Sequence, residues 1–282
     1  MNKKILVTTW CTDDYAEYMG LQKFINSFKY FHPDIDLHVI NTEETNKMIE
    51  KDPWVMRGTS YGPWLMTLTC MPYMDDYDMV VHLDGDVVVT GPMDEFFNST
   101  ADVVGVRNNN SLNKAGSHRG ITIPHIEPFG NGSPIPIQKF VNAGLIGINR
   151  KEFWYDWHEL NKQVAATGMS DEQDTLNYLF HWKKYNSKII DPIGSGISYG
   201  VSNTWGNDPR NHWESWKQMY VKNDKLYLDD PVTGESMLIK VMHQAGGSLS
   251  HELCRASGGF RQWLSTSVSS EVWDYIETVS NG

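Results

Sequence analysis

Two aspartates, Asp84 and Asp86, stand one glycine apart within the run VVHLDGDVVV, which is otherwise almost entirely apolar. A buried carboxylate without a partner costs free energy, so this pair indicates a ligand of opposite charge. Carboxylate oxygens are the ligands that small divalent cations prefer, and Gly85 between them allows the backbone to approach closely. The spacing therefore predicts that Asp84 and Asp86 bind one divalent metal ion.

A second interpretation of the same three residues stays open, because Asp-Gly is a strong signal for a two-residue hairpin turn. A hairpin strand with one solvated face would alternate apolar and polar residues, whereas the preceding MVVHL is nearly continuously apolar. That pattern favours a buried parallel strand that ends just before Asp84.

The elements that must position these carboxylates alternate between strands and helices. In chain order we predict a strand at 5–9, a helix at 14–31, a strand at 36–41, helices at 42–52 and 61–74, and a strand at 77–83. Such alternation is typical of an α/β fold with a central, mostly parallel sheet flanked by helices. Ligands of these sheets bind outside the carboxyl ends of the strands, where Asp84 and Asp86 follow the third strand.

The second half of the chain is less regular. Residues 108–138 are rich in Asn, Gly, Pro and Ser and lack periodicity, which is typical of a functional or mobile loop. Later patterns predict a strand at 140–150, helices at 151–168 and 171–185, and a strand at 236–243. Neither a repeat nor an interdomain linker interrupts the chain, so we predict one domain.

The overall charge limits the partners of the protein. The formal net charge is −11 at pH 7, which argues against nucleic acid as a partner. A phosphorylated small molecule remains compatible, because a bound divalent cation supplies the missing positive charge. No apolar run approaches the length of a membrane span, and the three dispersed cysteines form no disulfide or zinc pattern, so we predict a cytoplasmic protein.

One histidine extends the metal hypothesis. His243 ends the predicted strand SMLIKVMH, and two carboxylates with one imidazole suit Mn²⁺ or, less specifically, Mg²⁺. A structural role for a lone histidine at a strand end stays open. The chain carries neither the glycine-rich phosphate loops of P-loop and dinucleotide enzymes nor the nucleophile motifs of hydrolases. A bound metal ion is therefore expected to contact the phosphates of any nucleotide ligand.

Five segments resemble, in the right order, the GT-A fold glycosyltransferases, and particularly the family 8 group that includes glycogenin and bacterial lipopolysaccharide galactosyltransferases. The segments are VTTWCTDDYAEYMGLQKFINSFK, YDMVVHLDGDVVVTGPMDEFF, FVNAGLIGIN, EQDTLN and VMHQAGG. The resemblance implies a GT-A-type, Rossmann-like nucleotide-binding fold. It also implies metal-dependent transfer of a hexose from a UDP-sugar, with retention, to a carbohydrate, glycolipid or protein acceptor.

The resemblance divides the chain and assigns nucleotide contacts. The strand-end segment with Thr8, Thr9 and Trp10 is expected to bind the nucleotide, and Tyr15 to stack on its base. Gly246 is the glycine of HQAG, which resembles the start of the family's HxxGxxKPW signature, and it is expected to contact the donor. The predicted domain over 1–282 then consists of a nucleotide-binding half (1–107), a mobile lid or acceptor loop (108–138), a donor and acceptor half (139–247) and a C-terminal extension (248–282).

Three further residues are expected to face the sugar. Asn142, in the segment similar to the family's FNxGvxxiN strand, would hydrogen-bond donor hydroxyls, although a turn role is an open alternative. Gln173 and Asp174, in the segment similar to DQDxLN, would stabilise positive charge at the anomeric carbon. The alternative for Asp174 is that it complements a helix N-terminus.

The sequence departs from the family pattern in two places. Leu249 stands where the family carries a lysine, and no KPW follows, so a lysine contact to the diphosphate is in doubt. The DQD motif begins here with Glu172. Two other functions therefore stay open: a sugar-1-phosphate nucleotidyltransferase and a catalytically idle module that binds nucleotide sugars.

Overall fold

The computed structural model describes residues 3–10, 20–56, 64–107, 139–166, 172–181, 184–191, 199–200, 213–229, 234–243 and 260–281. Its strands are β1 (Ile5–Trp10), β2 (Asp36–Ile40), β3 (Met79–Leu83), β4 (Val87–Val89), β5 (Val103–Arg107), β6 (Val141–Ile148), β7 (Ser187–Ile190), β8 (Tyr199–Gly200), β9 (Tyr220–Val221), β10 (Leu226–Asp229), β11 (Ser236–Leu238) and β12 (Val241–His243). Its α-helices are α1 (Leu21–Phe31), α2 (Thr42–Lys51), α3 (Leu65–Cys70), α4 (Asp94–Phe97), α5 (Glu152–Ala165), α6 (Glu172–Phe180), α7 (Phe260–Ser267) and α8 (Ser270–Asn281). Tyr15, Gly246 and the predicted loop 108–138 lie outside the described residues.

A central sheet has the strand order β2-β1-β3-β6-β5-β7. Strand β1 pairs in parallel with β2 and β3, and β5 pairs in parallel with β7. Strand β6 runs antiparallel to both of its neighbours, β3 and β5. Helices pack on both faces of the sheet. The predicted α/β class, with a mostly parallel sheet flanked by helices, is confirmed.

Burial on both faces explains the apolar run in β3. Every residue of this strand is buried. Val80 belongs to a cluster on one face that includes Trp154 of α5, while Val81 belongs to a cluster on the other face with Phe24 and Phe28 of α1. A strand covered on both sides needs no polar alternation, which is why its sequence is continuously apolar.

Strand β6 extends past the end of β3, and helix α6 supplies the missing hydrogen bonds. The β3–β6 pairing ends at Leu83 opposite Leu145. At the start of β6, which has no β3 residue opposite it, the Asn177 side chain accepts a hydrogen bond from Val141 N at 2.6 Å and donates one to Val141 O at 2.8 Å. Gln173 Oε1 accepts a hydrogen bond from Ala143 N, two residues further along β6, at 3.1 Å. Backbone groups buried here are thereby satisfied without another strand.

The chain leaves the central sheet directly after β3. Strand β4 belongs to a second sheet, with the order β4-β12-β8. Strands β4 and β12 are antiparallel, and His243 lies opposite Val87 in their register. Because β3 and β4 lie in different sheets, the hairpin-turn interpretation of Asp84-Gly85-Asp86 is wrong.

The strand predicted at 236–243 is two strands in different sheets. Strand β11 pairs with β10 in a sheet of order β11-β10-β9, whereas β12 pairs with β4. The partner changes at Ile239, whose N–H donates to Leu226 O at 2.8 Å, and at Lys240, whose carbonyl accepts from Thr90 N at 2.8 Å. Ile239 is buried, so the apolar pattern continues across the change of partner and conceals it.

Two helices occupy much of the predicted C-terminal extension. Helix α8 packs against α1, where the Lys23 ammonium pairs with Glu277 and Asn26 Nδ2 donates to Ser280 O at 2.6 Å. Both helices contribute to a third apolar cluster, which includes Val88 of β4. Within the part of the chain that the structure describes, no helix is long and apolar enough to cross a membrane.

Candidate functional site

Three chain segments meet at the carboxyl end of β3. Asp84 follows β3 directly, and its N–H donates to Gly144 O at 2.8 Å, which continues the pairing of β3 with β6. Asp86 precedes β4, and His243 ends β12 opposite the residue after Asp86. The pairing of strands in two sheets therefore brings together the three residues that the sequence predicted as metal ligands.

These side chains form a compact cluster of oxygen and nitrogen ligands. One ligand atom from each of Asp84, Asp86 and His243 lies within 4.8 Å of the others. His243 Nε2 lies 3.3 Å from Asp84 Oδ2 and 3.3 Å from Asp86 Oδ1. Asp86 and His243 are buried, whereas the Asp84 side chain is 35% exposed. The cluster therefore faces solvent through Asp84.

The electrostatics of the cluster favour a bound cation. Burial by itself raises the pKa of the Asp84 carboxyl, but hydrogen bonds from His243 and His82 outweigh burial and hold that pKa well below its usual range. Burial by itself lowers the pKa of the His243 imidazole, but the Asp86 charge and the hydrogen bonds to both aspartates raise it to about 10. At neutral pH the cluster therefore holds an ionised Asp84 beside a protonated His243, and a metal ion that binds here takes the place of the imidazole proton.

Two observations test whether a metal ion fits here. Asp86 Oδ1 is buried, and its neighbour in the cluster, His243 Nε2, lies 3.3 Å away, which is longer than a good hydrogen bond. Gly144 faces the cluster, and a Cβ on it would lie 2.2 Å from Asp84 Oδ2 and 2.7 Å from His243 Cε1. A glycine thus lets two of the ligands pack directly on β6. The donor set of two carboxylates and one imidazole suits Mn²⁺, so the residues present fit the metal.

The sequence interpretation missed His82, which contacts the cluster from β3. This histidine is 1% exposed, and its Nε2 lies 3.0 Å from Asp84 Oδ1. Because an ionised carboxylate only accepts, His82 Nε2 is the donor in this hydrogen bond. A signal for the contact was present in the sequence, since residues two apart in a strand lie on the same face.

Asn142 lies beside the cluster on β6. Its Oδ1 accepts a hydrogen bond from Gly144 N at 2.8 Å and lies 2.9 Å from the position of a Cβ on Gly144. The side chain is partly exposed, so its amide nitrogen is the end that remains for a ligand. Contact with donor sugar hydroxyls stays a prediction for this residue.

The end of β1 presents two different faces. Thr8 is buried, and its hydroxyl lies 3.0 Å from Cys70 Sγ, so its side chain is part of the core. Thr9 points to the other face, where a Cβ on Gly85 would lie 3.4 Å from Thr9 Oγ1. That is ordinary van der Waals contact, and close approach of the Gly85 backbone to a ligand stays a prediction. Trp10, the last residue of β1, is partly exposed.

The first turn of α6 carries the two residues that were expected to face the anomeric carbon. Gln173 Oε1 accepts a hydrogen bond from Ala143 N, one residue before Gly144, and so ties α6 to the strand that borders the metal ligands. Asp174 is 4% exposed. Their contact with a substrate stays a prediction, as does that of Tyr15 and Gly246, which lie outside the described residues.

Comparison with solved structures identifies the fold. The chain aligns with an active-site mutant of LgtC at a TM-score of 0.53 and 18% identity, covering 96% of this chain and 99% of the other. The galactosyltransferase LgtC in complex with donor and acceptor sugar analogues gives a TM-score of 0.49 at 17% identity, with the same coverage of 96% and 99%. The bifunctional glycosyltransferase WbbM, in its apo structure, gives 0.49 at 12% identity over 88% of this chain and 46% of the other.

No family model and no curated protein matches the sequence. At 18% identity, the first of these likenesses shows the fold alone, and it confirms the predicted GT-A-type, Rossmann-like architecture. Membership of glycosyltransferase family 8 stays a prediction that rests on the resemblance of motifs.

Proposed function

We propose that this protein is a metal-dependent glycosyltransferase that moves a hexose from a UDP-sugar to a carbohydrate, glycolipid or protein acceptor, with retention of configuration. The observation that carries the proposal is the cluster of Asp84, Asp86 and His243 at the carboxyl end of β3. In sheets of this type, ligands bind beyond the carboxyl ends of the strands, so the cluster lies where a nucleotide sugar would be held. The fold shared with LgtC supports the same proposal.

Charge explains why such an enzyme would need a cation. Loss of the sugar leaves a nucleoside diphosphate, and a chain with a net charge of −11 does not favour this product by itself. Mn²⁺ or Mg²⁺, when bound by Asp84, Asp86 and His243, would neutralise the diphosphate oxygens. The imidazole in this ligand set favours Mn²⁺, because Mg²⁺ prefers oxygen ligands alone.

Other side chains would bind the donor. In this proposal, the exposed end of β1 at Trp10 holds the nucleotide, and Tyr15 stacks on its base. Asn142 donates to a sugar hydroxyl through its amide nitrogen, since its Oδ1 already accepts a backbone hydrogen bond. Gly246 follows β12 by three residues and lets the chain approach the diphosphate.

The reaction breaks the bond between the anomeric carbon and a diphosphate oxygen and forms a bond from that carbon to the acceptor oxygen. Positive charge develops at the anomeric carbon on the way. We assign the stabilisation of this charge to Asp174 and Gln173, whose helix is tied to β6 beside the metal ligands. An oxygen of the departing diphosphate takes the acceptor proton, so the proposal needs no separate base.

A panel of nucleotide sugars tests this function before the acceptor is known. Each donor is added with Mn²⁺, and the shift in unfolding temperature and the slow hydrolysis of the donor are measured together. We expect a UDP-hexose to raise the unfolding temperature and to be hydrolysed only with the metal present. Asp84→Asn and Asp86→Asn should abolish both effects. Glu43→Gln, which removes an exposed ion pair with Lys47, is the surface control and should abolish neither.

Three results would contradict the proposal. Hydrolysis of the donor at the full rate in excess EDTA would show that the reaction does not depend on a metal ion. Release of pyrophosphate from a nucleoside triphosphate and a sugar phosphate would instead identify a nucleotidyltransferase. Tight binding of UDP without transfer or hydrolysis of any donor would identify a binding module.

A further inference from the structure

His82 and Asp84 lie on the same face of the chain at the end of β3. His82 is almost fully buried in the central sheet, opposite Thr8 of β1 and Ile146 of β6 in the strand register. Asp84, two residues later, is 35% exposed. A buried imidazole thus lies behind a carboxylate that has solvent on its other side.

The two oxygens of Asp84 have different partners. Asp84 Oδ1 accepts a hydrogen bond from His82 Nε2 at 3.0 Å. Asp84 Oδ2 lies 3.3 Å from His243 Nε2, and a Cβ on Gly144 would be 2.2 Å from it. The carboxylate is therefore oriented so that one oxygen faces the core and the other faces the proposed ligands.

We propose that His82 is a positioning residue for the metal site, which holds Asp84 as a ligand through Oδ2 alone. The inference rests on the proposed function only in taking Asp84 as a metal ligand. An exposed carboxylate rotates about its Cβ–Cγ bond and can offer both oxygens to a cation. The hydrogen bond from His82 occupies Oδ1 and removes that freedom. Partners of this kind orient metal ligands in many proteins.

Orientation of Asp84 has a consequence for metal selectivity. Small cations such as Mn²⁺ and Mg²⁺ take near-octahedral sites built from single oxygens, whereas Ca²⁺ accepts more ligands and both oxygens of one carboxylate. With Oδ1 held by His82, Asp84 suits the smaller cations. Loss of His82 therefore weakens binding of Mn²⁺ and favours Ca²⁺ relative to it.

Calorimetric titration with Mn²⁺ alone and with Ca²⁺ alone tests the inference on the full chain. His82→Leu removes the donor, and His82→Gln restores an N–H near the position of Nε2. We expect the leucine variant to lose about tenfold or more in affinity for Mn²⁺, and its preference for Mn²⁺ over Ca²⁺ to fall. The glutamine variant should keep most of the affinity for Mn²⁺ and most of the preference for Mn²⁺ over Ca²⁺. His158→Leu is the matched control, because His158 is a buried histidine that bonds Thr67 instead, and it should bind Mn²⁺ as the wild type does.

If the leucine variant does not fold, His82→Asn takes its place in the titration with Mn²⁺ and Ca²⁺. Asparagine is polar as glutamine is, but its amide nitrogen ends one bond short of the position of Nε2. Weaker Mn²⁺ binding by the asparagine variant than by the glutamine variant supports the inference. Variants of His82 that bind Mn²⁺ and Ca²⁺ as the wild type does overturn it, whatever their stability.

The titration also separates this inference from the proposed function. In one outcome, the wild type binds Mn²⁺, the His82 variants bind it weakly, and the wild type hydrolyses no nucleotide sugar. That outcome supports the role of His82 and overturns the proposed transferase activity. A wild-type transferase whose Mn²⁺ affinity is independent of His82 supports the function and overturns the positioning role. A wild-type protein that binds no Mn²⁺ overturns both.

Discussion

Gly144 and Asp84 are in contact across the end of the β3–β6 pairing. Asp84 N donates to Gly144 O at 2.8 Å, and a Cβ built on Gly144 would lie 2.2 Å from Asp84 Oδ2. One residue thus both fixes the backbone of a proposed metal ligand and leaves room for its side chain. This contact makes the cluster sensitive to added volume at position 144.

Gly144→Ala is therefore expected to lower affinity for Mn²⁺ by about tenfold or more, because the new methyl group must displace Asp84 Oδ2 or His243. Calorimetric titration with Mn²⁺ measures the change. The matched control is Gly147→Ala on the same strand, where a Cβ would lie 2.2 Å from Met79 Cε, a core atom on the other face of the sheet.

The control should separate stability from metal binding. Gly147→Ala should lower the free energy of unfolding by about 1–3 kcal/mol through overpacking, while its affinity for Mn²⁺ stays close to that of the wild type. Equal affinities in the Gly144→Ala variant and the wild type would contradict the proposed approach of the ligands to β6.

A second prediction concerns Asn177, which takes the place of a strand beside Val141. Its Nδ2 donates to Val141 O at 2.8 Å and to Gln173 O at 2.7 Å, and the residue is fully buried. Asn177→Asp keeps the acceptor but sets a carboxylate oxygen against two carbonyls. We expect a loss of about 3 kcal/mol or more in the free energy of unfolding, measured by urea denaturation.

Asn223 offers the control for this variant. It lies in an exposed turn with a φ of 53°, a conformation that aspartate also adopts. Asn223→Asp should change the free energy of unfolding by less than about 0.5 kcal/mol. If both variants were equally stable, the side chain of Asn177 would not be needed to hold β6.

Acid should destabilise the protein through His32. This histidine is buried, its Nε2 accepts a hydrogen bond from Met93 N at 3.2 Å, and its ring contacts Phe28 and Phe97. Burial lowers its pKa from 6.5 to about 4, against the opposing charge of Asp94. The unfolded state therefore binds the extra proton between pH 6.5 and 4, and this contribution to stability is complete above pH 6.5 and lost as the pH falls through that window.

The slope from His32 approaches about 1.4 kcal/mol per pH unit within the window. His32→Gln keeps an acceptor for Met93 N but does not titrate, so its stability should fall less steeply between pH 6.5 and 4. Urea denaturation at several pH values compares the two proteins. Parallel curves for the variant and the wild type would assign the acid sensitivity to other groups.

Local patterns predicted the elements that lie between buried faces, and they failed where pairing changes. The apolar run at β3 and the amphipathic pattern of α5 were enough to predict both. At Ile239 the apolar pattern continues while the strand partner changes from β10 to β4, so residues 236–243 seemed one strand. A change of partner is a property of two distant segments, and neither segment shows it alone.

The candidate site divides in the same way. Asp84 and Asp86 could be predicted as metal ligands from their local sequence, because a carboxylate buried in an apolar segment is unfavourable unless it binds a partner. The contact of His82 follows from a period of two and was available from the sequence. The closeness of Gly144 to Asp84 depends on the antiparallel register of β3 with β6, which pairs residues about sixty positions apart and leaves no local trace.

Binding of UDP with and without Mn²⁺ tests the central claim most directly. The wild type and Asp86→Asn are titrated with UDP by calorimetry, in Mn²⁺ and in EDTA. The Asp86 carboxylate is buried and its replacement is isosteric, so the fold should be kept. We predict that the wild type binds UDP at least about tenfold more tightly with Mn²⁺ and that the variant loses this difference. Equal affinity of the wild type for UDP in Mn²⁺ and in EDTA would contradict the account.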